Sequence, residues 1–360
     1  MNFQVLELGI SADEEEWMKL WYALPVERQD VFFLPGYLEA YHNENRGRGM
    51  CVAVVENKSV LLYPFLKREI TFDLEDKISR QYYDITTPYG YGGPVVNLEG
   101  EDTSFLTKAW ENFSIWCREQ SIVTEFCRFH SIISNFEWVS KEMTVLKDRD
   151  TVAFDLKKYP TDVWNSSYFL NHRGMVRKAI REEFTFHVEN FEALLPWFLE
   201  KYNETQEKLQ ASHETIFSET YFRTLQQKLQ DRIWLGVVRK NNEPVTAVLV
   251  LEGNHDSYLH LMAYFNEGPA KGMVNYLYHE VANEEAKKGL YMLQVGGGKT
   301  NSPDDPLFLF KARLSPVRHE FHIGKRVHDQ KKYDELVDSY KIKYGEDVYD
   351  QKKQILQFYE

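Results

Sequence analysis

The sequence predicts an α/β (α+β) protein of two tandem halves, each a mixed, mainly antiparallel sheet flanked by helices. Three observations predict it. Helical and strand-like periodicities alternate along the 360 residues, the pattern of a mixed fold. The length suits two domains of roughly 150 residues each. The order helices, three strands, glycine-bearing loop, helix, strand occurs twice, as an order of elements rather than of residues.

In the first half, Ser11 with Glu14 resembles a capping box and opens an amphipathic run through Trp17, Leu20 and Trp21. A short helix is expected over Tyr37–His42. Strands follow at Met50–Glu56 and Val60–Ile70, with Asn57-Lys58 as the hairpin turn, and then a Tyr-rich strand at Tyr82–Thr86. Pro88-Tyr-Gly-Tyr-Gly-Gly-Pro94 is a loop by composition. A helix over Thr103–Glu119 and an apolar strand over Ile122–Phe126 complete the half.

The second half begins with helices at Thr161–Glu182, Phe191–Leu209 and Ser218–Leu229, the last capped by Ser218. Strands at Ile233–Arg239 and Val245–Leu251 flank an Asn241-Asn242 turn, and a third covers Tyr258–Tyr264. The loop Glu267–Gly272 leads into a helix over Met273–Lys288, with Gly289 as its C′ residue, and then the strand Tyr291–Val295. Polar Asp148–Asp150 marks the boundary, giving halves over 1–149 and 150–325. The charged stretch 326–360, with Tyr333, Leu336 and Tyr340 at helical spacing, is expected to be a helical tail packed back on one half.

Composition narrows the function classes. Apolar residues make up 43% and charged residues 27%, ordinary globular usage that excludes a disordered, collagenous or coiled-coil chain. The 8 Trp, 22 Tyr and 23 Phe can fill a core and still line a cleft. The net charge of −12 argues against a protein that coats nucleic acid, while leaving room for one basic patch. Cys51, Cys117 and Cys127 are odd in number and lack CxxC spacing, so neither a disulfide framework nor a zinc site is expected. Met1–Glu16 has no basic, apolar signal-peptide pattern, and no apolar run approaches the ~18 residues of a membrane span. The expectation is a soluble cytoplasmic protein.

Four groups of residues could carry chemistry. In the Pro88–Pro94 loop the glycines allow close backbone approach, and Tyr89 and Tyr91 offer flat faces and hydroxyls; a tight structural connection would use the same residues. Arg173, Arg177 and Arg181 recur every four residues on one helix face, with Lys178 beside them. Guanidinium forks on one ridge suit phosphates; a solvated face balanced by Glu182 and Glu183 is the alternative. Gly296-Gly-Gly298-Lys299 follows an apolar strand without the spacing of a phosphate-binding Walker loop. It fits a splayed strand end near Asp304, Asp305 and Lys311, or a surface turn. The histidines show no metal spacing; His260, between apolar neighbours in a strand, is either a satisfied core residue or a base. A nucleophile elbow and a dinucleotide fingerprint are both missing, which lowers hydrolase and oxidoreductase readings.

Asp84-Ile-Thr-Thr-Pro-Tyr-Gly-Tyr-Gly-Gly-Pro94, Arg128-Phe-His130, Arg173-Gly-Met-Val-Arg-Lys-Ala179, Gly296-Gly-Gly298 and Phe310-Lys311 stand in the order seen in FemAB-like proteins. Over about residues 1–325 the chain thus resembles this branch of the GNAT acyltransferase superfamily, built from two tandem GNAT-like halves. The resemblance implies acyl transfer from a thioester or ester to a primary amine. It implies an N-acyltransferase moving an acyl group, an acetyl first of all, from acyl-CoA to an amine of a sugar-nucleotide or cell-envelope precursor, as in polysaccharide biosynthesis. A Fem-type transferase using aminoacyl-tRNA on a peptidoglycan precursor is the alternative, and a non-catalytic binding module of the same fold is a third. No DNA partner and no metal are expected.

The resemblance also implies a site. Lys311 is the expected donor to the developing oxyanion, with His260, Asp304 and Tyr264 as candidate bases. Tyr89, Tyr91, Gly92, Gly93, Arg128, His130, Arg173, Arg177, Lys178 and Tyr221 are expected to contact substrate, the two tyrosines in a cleft between the halves. Gly268, Lys271, Gly272, Gly296, Gly297 and Gly298 are expected to meet the acyl-CoA. Two features depart from the family pattern. Asn266-Glu-Gly-Pro-Ala-Lys-Gly272 lacks the glycine spacing of the usual pyrophosphate loop, and the long helical arm of some Fem proteins has no counterpart.

Overall fold

The computed structural model describes residues 1–72, 81–100, 104–158, 170–208, 216–264 and 272–359. The chain divides into two compact units. The first holds Met1–Pro25, Phe32–Lys147 and His322–Glu360, the second Val26–Val31 and Asp148–Phe321. Each is a mixed, mainly antiparallel sheet with flanking helices, the α/β class that the periodicity predicts.

The first unit opens with β1 (Asn2–Glu7), α1 (Ser11–Tyr22) and α2 (Pro35–Asn43). The meander β2 (Arg48–Glu56), β3 (Ser59–Glu69) and β4 (Tyr83–Thr86) follows, then β5 (Val95–Asn97), α3 (Ser104–Glu119) and β6 (Ile122–Arg128). β1 to β4 pair antiparallel in sequence order, and α3 is the crossover that brings β6 parallel to β4. The β2–β3 turn places Asn57 at φ 55°, a left-handed conformation that asparagine tolerates. Phe65, Trp110, Phe113 and Phe129 fill the core. The expected capping box does not form. Ser11 is already helical, and Ile10 stands at the N-cap. The Asp13 and Glu14 carboxylates instead accept the N–H groups of Glu7 and Gly9, at 2.9 and 2.7 Å, and tie the β1–α1 turn.

β7 (Thr144–Asp155) runs from the first unit into the second. There follow α4 (Leu170–Arg181), β8 (Thr185–Glu189), α5 (Phe191–Lys208), α6 (Glu219–Leu229), β9 (Ile233–Lys240), β10 (Glu243–Glu252) and β11 (Asp256–Tyr264). α7 (Met273–Lys287), β12 (Met292–Gly296) and α8 (Pro306–Ala312) complete the unit. β8 to β11 pair antiparallel in sequence order. β12 is parallel to β11, and the end of β7 is antiparallel to β12. Asn241 and Asn242 both take positive φ, 51° and 66°, as a two-residue hairpin turn of the favoured twist requires. Ser218 caps α6 by accepting the Thr220 N–H.

β13 (Val317–Val327) returns the chain to the first unit, where Ile323–Val327 pairs antiparallel with β6. α9 (Gln330–Tyr344) and α10 (Glu346–Lys352) follow. Leu336, Tyr340 and Phe358 pack with Ile70 and Val123, so the stretch 322–360 is part of the first unit's core. Cys51, Cys117 and Cys127 are free and buried, and burial raises the pKa of each thiol. Among the described residues no helix is long and apolar enough to cross a membrane.

Candidate active site

In the second unit two parallel strands diverge. β12 pairs with β11 over Asp256–Tyr258, ending at the Tyr258–Gln294 pair. β11 runs on to Tyr264, while β12 shifts register between Gln294 and Gly296 and pairs with Val152 of β7. Among the described residues, β11 beyond Tyr258 has no ladder with β12. Such a split lays bare backbone donors along one wall, where a carbonyl oxygen gaining charge can be held. The first unit closes the equivalent place. There the β4–β6 ladder runs to Thr86–Phe126. The Thr87 N–H then donates to the Phe126 carbonyl at 3.2 Å, the Thr87 hydroxyl accepts the Arg128 N–H at 2.9 Å, and Gly92 bridges to Phe129.

Three side chains crowd the glycines at the end of β12. A Cβ on Gly296, whose φ is +82°, would lie 3.3 Å from Lys311 Nζ. One on Gly297 would meet Arg149 Cδ at 3.0 Å, and one on Gly298 would meet Asp305 Oδ1 at 2.6 Å. Arg149 also donates to the Gly298 carbonyl at 2.8 Å. Asp305 is the N-cap of α8. Its Oδ1 accepts the Leu307 and Phe308 N–H groups at 2.9 and 3.0 Å. Its Oδ2 accepts the Thr300 N–H and hydroxyl at 2.9 and 3.0 Å. Burial opposes its charge, but the Phe308 and Thr300 donors hold the carboxyl well below the usual range. Pro306 at the first helical position and Phe308 and Phe310 against the core fix α8.

Lys311 therefore hangs from an anchored helix with its ammonium beside Gly296. Burial lowers its pKa to about 8; Asp305 opposes the shift and Arg149 adds to it. Asp304 lies on the exposed turn, its N–H donating to the Ser302 hydroxyl at 3.2 Å. The aspartate at the glycines is its neighbour Asp305. An Asp before a Pro, just ahead of an apolar run, is a helix-start signal that could have singled out Asp305. Arg149 had no such signal, because its partner Gly298 is remote in sequence.

His260 sits on the reach of β11 that has left β12, and Tyr264 ends that strand. The Tyr221 hydroxyl, from α6, is 2.8 Å from His260 Nε2. The Tyr221 ring is stacked on Phe217 with centroids 4.0 Å apart. Burial lowers the His260 pKa to about 3, so the imidazole is neutral at pH 7. The structure thus brings Tyr221 of α6 to His260 on one diverging strand, and Lys311 of α8 to Gly296–Gly298 at the end of the other.

α4 turns His172, Val176 and Ala179 inward. His172 Nδ1 meets Asn275 Nδ2 of α7 at 2.9 Å. Gly272, at φ +106°, begins α7, and a Cβ there would lie 2.3 Å from the Met175 carbonyl oxygen. This glycine is required by the packing of α4 across the start of α7. Outward, Arg177 and Arg181 are exposed, and Arg173 and Lys178 are half-exposed. Gly174, Arg177, Ile180 and Arg181 line an open surface depression. Lys178 pairs with Glu182 at 3.5 Å. Gly268 and Lys271 lie outside the described residues.

The remaining candidates gather in the first unit. Tyr91 is buried, with Phe32 edge-on at 5.2 Å and His130 at 5.1 Å. The Tyr89 carbonyl accepts the Tyr37 and Tyr41 hydroxyls at 2.6 and 3.2 Å. A Cβ on Gly92 would meet Thr87 at 2.8 Å, and one on Gly93, at φ +89°, would meet Asn135 Nδ2 at 2.9 Å. Asn135 donates to the Gly92 and Pro94 carbonyls at 2.7 and 2.9 Å. His130 is buried; its N–H donates to Asn135, and its Nδ1 accepts the Ile133 N–H. The Arg128 guanidinium lies 4.8 Å from the centre of the Phe126 ring. Among the described residues no group of three or more His, Cys, Asp or Glu side chains is placed to hold a metal ion.

Residues 167–302 match the family described as an acetyltransferase (GNAT) domain. No curated protein matches the chain. Among solved structures, FemX superposes with a TM-score of 0.65 at 12% identity, over 93% of this chain and 99% of that one. The C-terminal domain of a putative lysylphosphatidylglycerol synthetase from Agrobacterium fabrum gives 0.55 at 11% identity, over 89% and 94%. L-PGS from Bacillus licheniformis gives 0.54 at 12%, over 93% and 97%. At such identities the likeness is one of fold.

Proposed function

We propose that the chain is a GNAT-type acyltransferase of FemAB-like fold and that it moves an acyl group from acyl-CoA to an amine of a sugar-nucleotide or cell-envelope precursor. The observation that carries this reading is the opening of β11 from β12, with Lys311 beside Gly296. Acyl-CoA supplies the thioester whose carbonyl is attacked. The free edge of β11 offers N–H donors to the carbonyl oxygen as it gains charge, and the Lys311 ammonium adds a point charge. With a pKa of about 8, Lys311 is mainly protonated at pH 7. The amine must be neutral to attack and must shed a proton afterwards. His260, with a pKa of about 3, is a weak proton acceptor, so its pair with Tyr221 serves to orient the amine or pass its proton to water. Arg173, Arg177 and Lys178 hold phosphate groups of the ligands.

One observation favours the second reading, a Fem-type transfer from aminoacyl-tRNA. α4 lies across the start of α7, with the Met175 carbonyl against Gly272. This covers one side of the helix N-terminus that would meet the pyrophosphate of CoA. FemX, the C-terminal domain of a putative lysylphosphatidylglycerol synthetase and L-PGS share the fold. Calorimetry with acetyl-CoA, set against a filter assay with charged tRNA, separates the two. Saturable acetyl-CoA binding supports the first reading; retention of charged tRNA without acetyl-CoA binding replaces it with the second.

A further inference from the structure

We propose that the outer face of α4 docks the protein on an anionic lipid surface. The proposal deepens the reading of α4 as a phosphate-binding face by naming the source of the phosphate, and it rests on that reading alone, not on the identity of the acyl donor.

Between Leu170 and Arg181 the helix carries Arg173, Arg177, Lys178 and Arg181 and no acidic residue, in a chain whose net charge is −12. α4 thus carries four cations with no acidic residue between them. The same face exposes large aliphatic side chains, Leu170 at 77% and Ile180 at 53%. Successive residues turn by 100°, so Leu170, Gly174, Arg177 and Arg181 form the crest opposite the buried His172, Val176 and Ala179, and Arg173 and Ile180 share one flank.

The inner side of α4 is packed: Asn275 meets His172 at 2.9 Å, and Gly272 is closed against Met175. Among the described residues no atom lies within 4 Å of a Cβ built on Gly174. The depression lined by Gly174, Arg177, Ile180 and Arg181 is open enough to take a phosphate beside this cationic crest. Aliphatic side chains interleaved with arginines suit the boundary between headgroups and acyl chains. An RNA-binding face would instead use aromatic rings to stack bases; the one ring on α4, His172, is buried, and its outer face carries none. Docking here would hold the second unit at the surface where a lipid-borne acceptor is presented.

The test is co-sedimentation of the full chain with phosphatidylcholine vesicles and with vesicles containing about one third phosphatidylglycerol. Binding to the anionic vesicles alone, weakened by salt, is expected. Gly174→Glu sets a carboxylate between Arg177 and Arg181 in open space and improves helix propensity. It should lower the partition constant roughly fivefold without lowering the melting temperature. Ile180→Asn should also lower binding, with no change in charge. Absence of binding to anionic vesicles overturns the proposal, as does either variant binding like the wild type. Capture of charged tRNA by this face, lost in Gly174→Glu while vesicles stay unbound, makes it an RNA surface and also overturns it. Vesicle binding is read with no acyl donor present, and acetyl-CoA calorimetry on the wild-type chain with no vesicles, so docking and acyl transfer can fail separately.

Discussion

The ammonium of Lys311 stands 3.3 Å from where a Cβ on Gly296 would be. That contact joins α8 to the end of β12 at the point where β12 has left β11. It explains why the glycine and the lysine occur together: the first leaves room for the second.

Gly296→Ala should therefore damage both packing and turnover. The left-handed backbone at φ +82° disfavours alanine, and the methyl group would push the ammonium aside. A loss of about 1–3 kcal/mol in stability is expected, with a fall in kcat/KM of roughly tenfold or more. Denaturant melts and steady-state kinetics read the two effects.

The pH profile follows from burial of Lys311. Its folded pKa is about 8, and the charged form is the acid form, so its contribution to oxyanion binding is lost as pH rises through 8. The kcat/KM profile should fall above that pH. Lys311→Arg keeps its charge throughout and should lose the descending limb, at a reduced maximum, because a planar fork does not replace a compact ammonium.

Glu285 on α7 is buried, and burial, helped by the Glu252 charge and opposed by Lys288, raises its pKa from 4.5 to about 7. A folded value above the unfolded one means that the folded state binds the proton more tightly. The resulting stability is fully present below pH 4.5 and is lost as pH rises through 7. Glu285→Gln should melt above the wild type at pH 8 and with it at pH 4.5, and Lys288 keeps Glu252 as a partner. Scanning calorimetry at the two pH values decides this.

In the first unit, Gly93→Ala meets Asn135 at 2.9 Å with φ at +89°. A loss of about 1–3 kcal/mol is expected, read as an earlier urea midpoint.

Local chemistry was legible in the sequence where one short segment decides the structure. Asn57-Lys58 and Asn241-Asn242 mark their hairpins and Ser218 its helix, whereas the triple glycine fits a splayed strand end or a surface turn. The exchange of β7 and β13 was not legible. Ile323 pairs with Arg128, a partner far away in sequence, and β13 is too polar to read as a core strand. Tyr221 and His260 are far apart in sequence; only the fold shows them 2.8 Å apart. Composition cannot tell the adjacent carboxylates of Asp304 and Asp305 apart, whereas the cap geometry of α8 can.

The central claim is that acyl transfer takes place where β11 leaves β12, under the Lys311 ammonium. Single-turnover transfer of a labelled acyl group by Lys311→Ala, with the melting temperature measured alongside, tests it most directly. One preorganised donor contributes roughly 2.7–4 kcal/mol, so kcat/KM should fall about 10²-fold or more while the protein melts as the wild type does. Near-normal transfer by this variant would contradict the account.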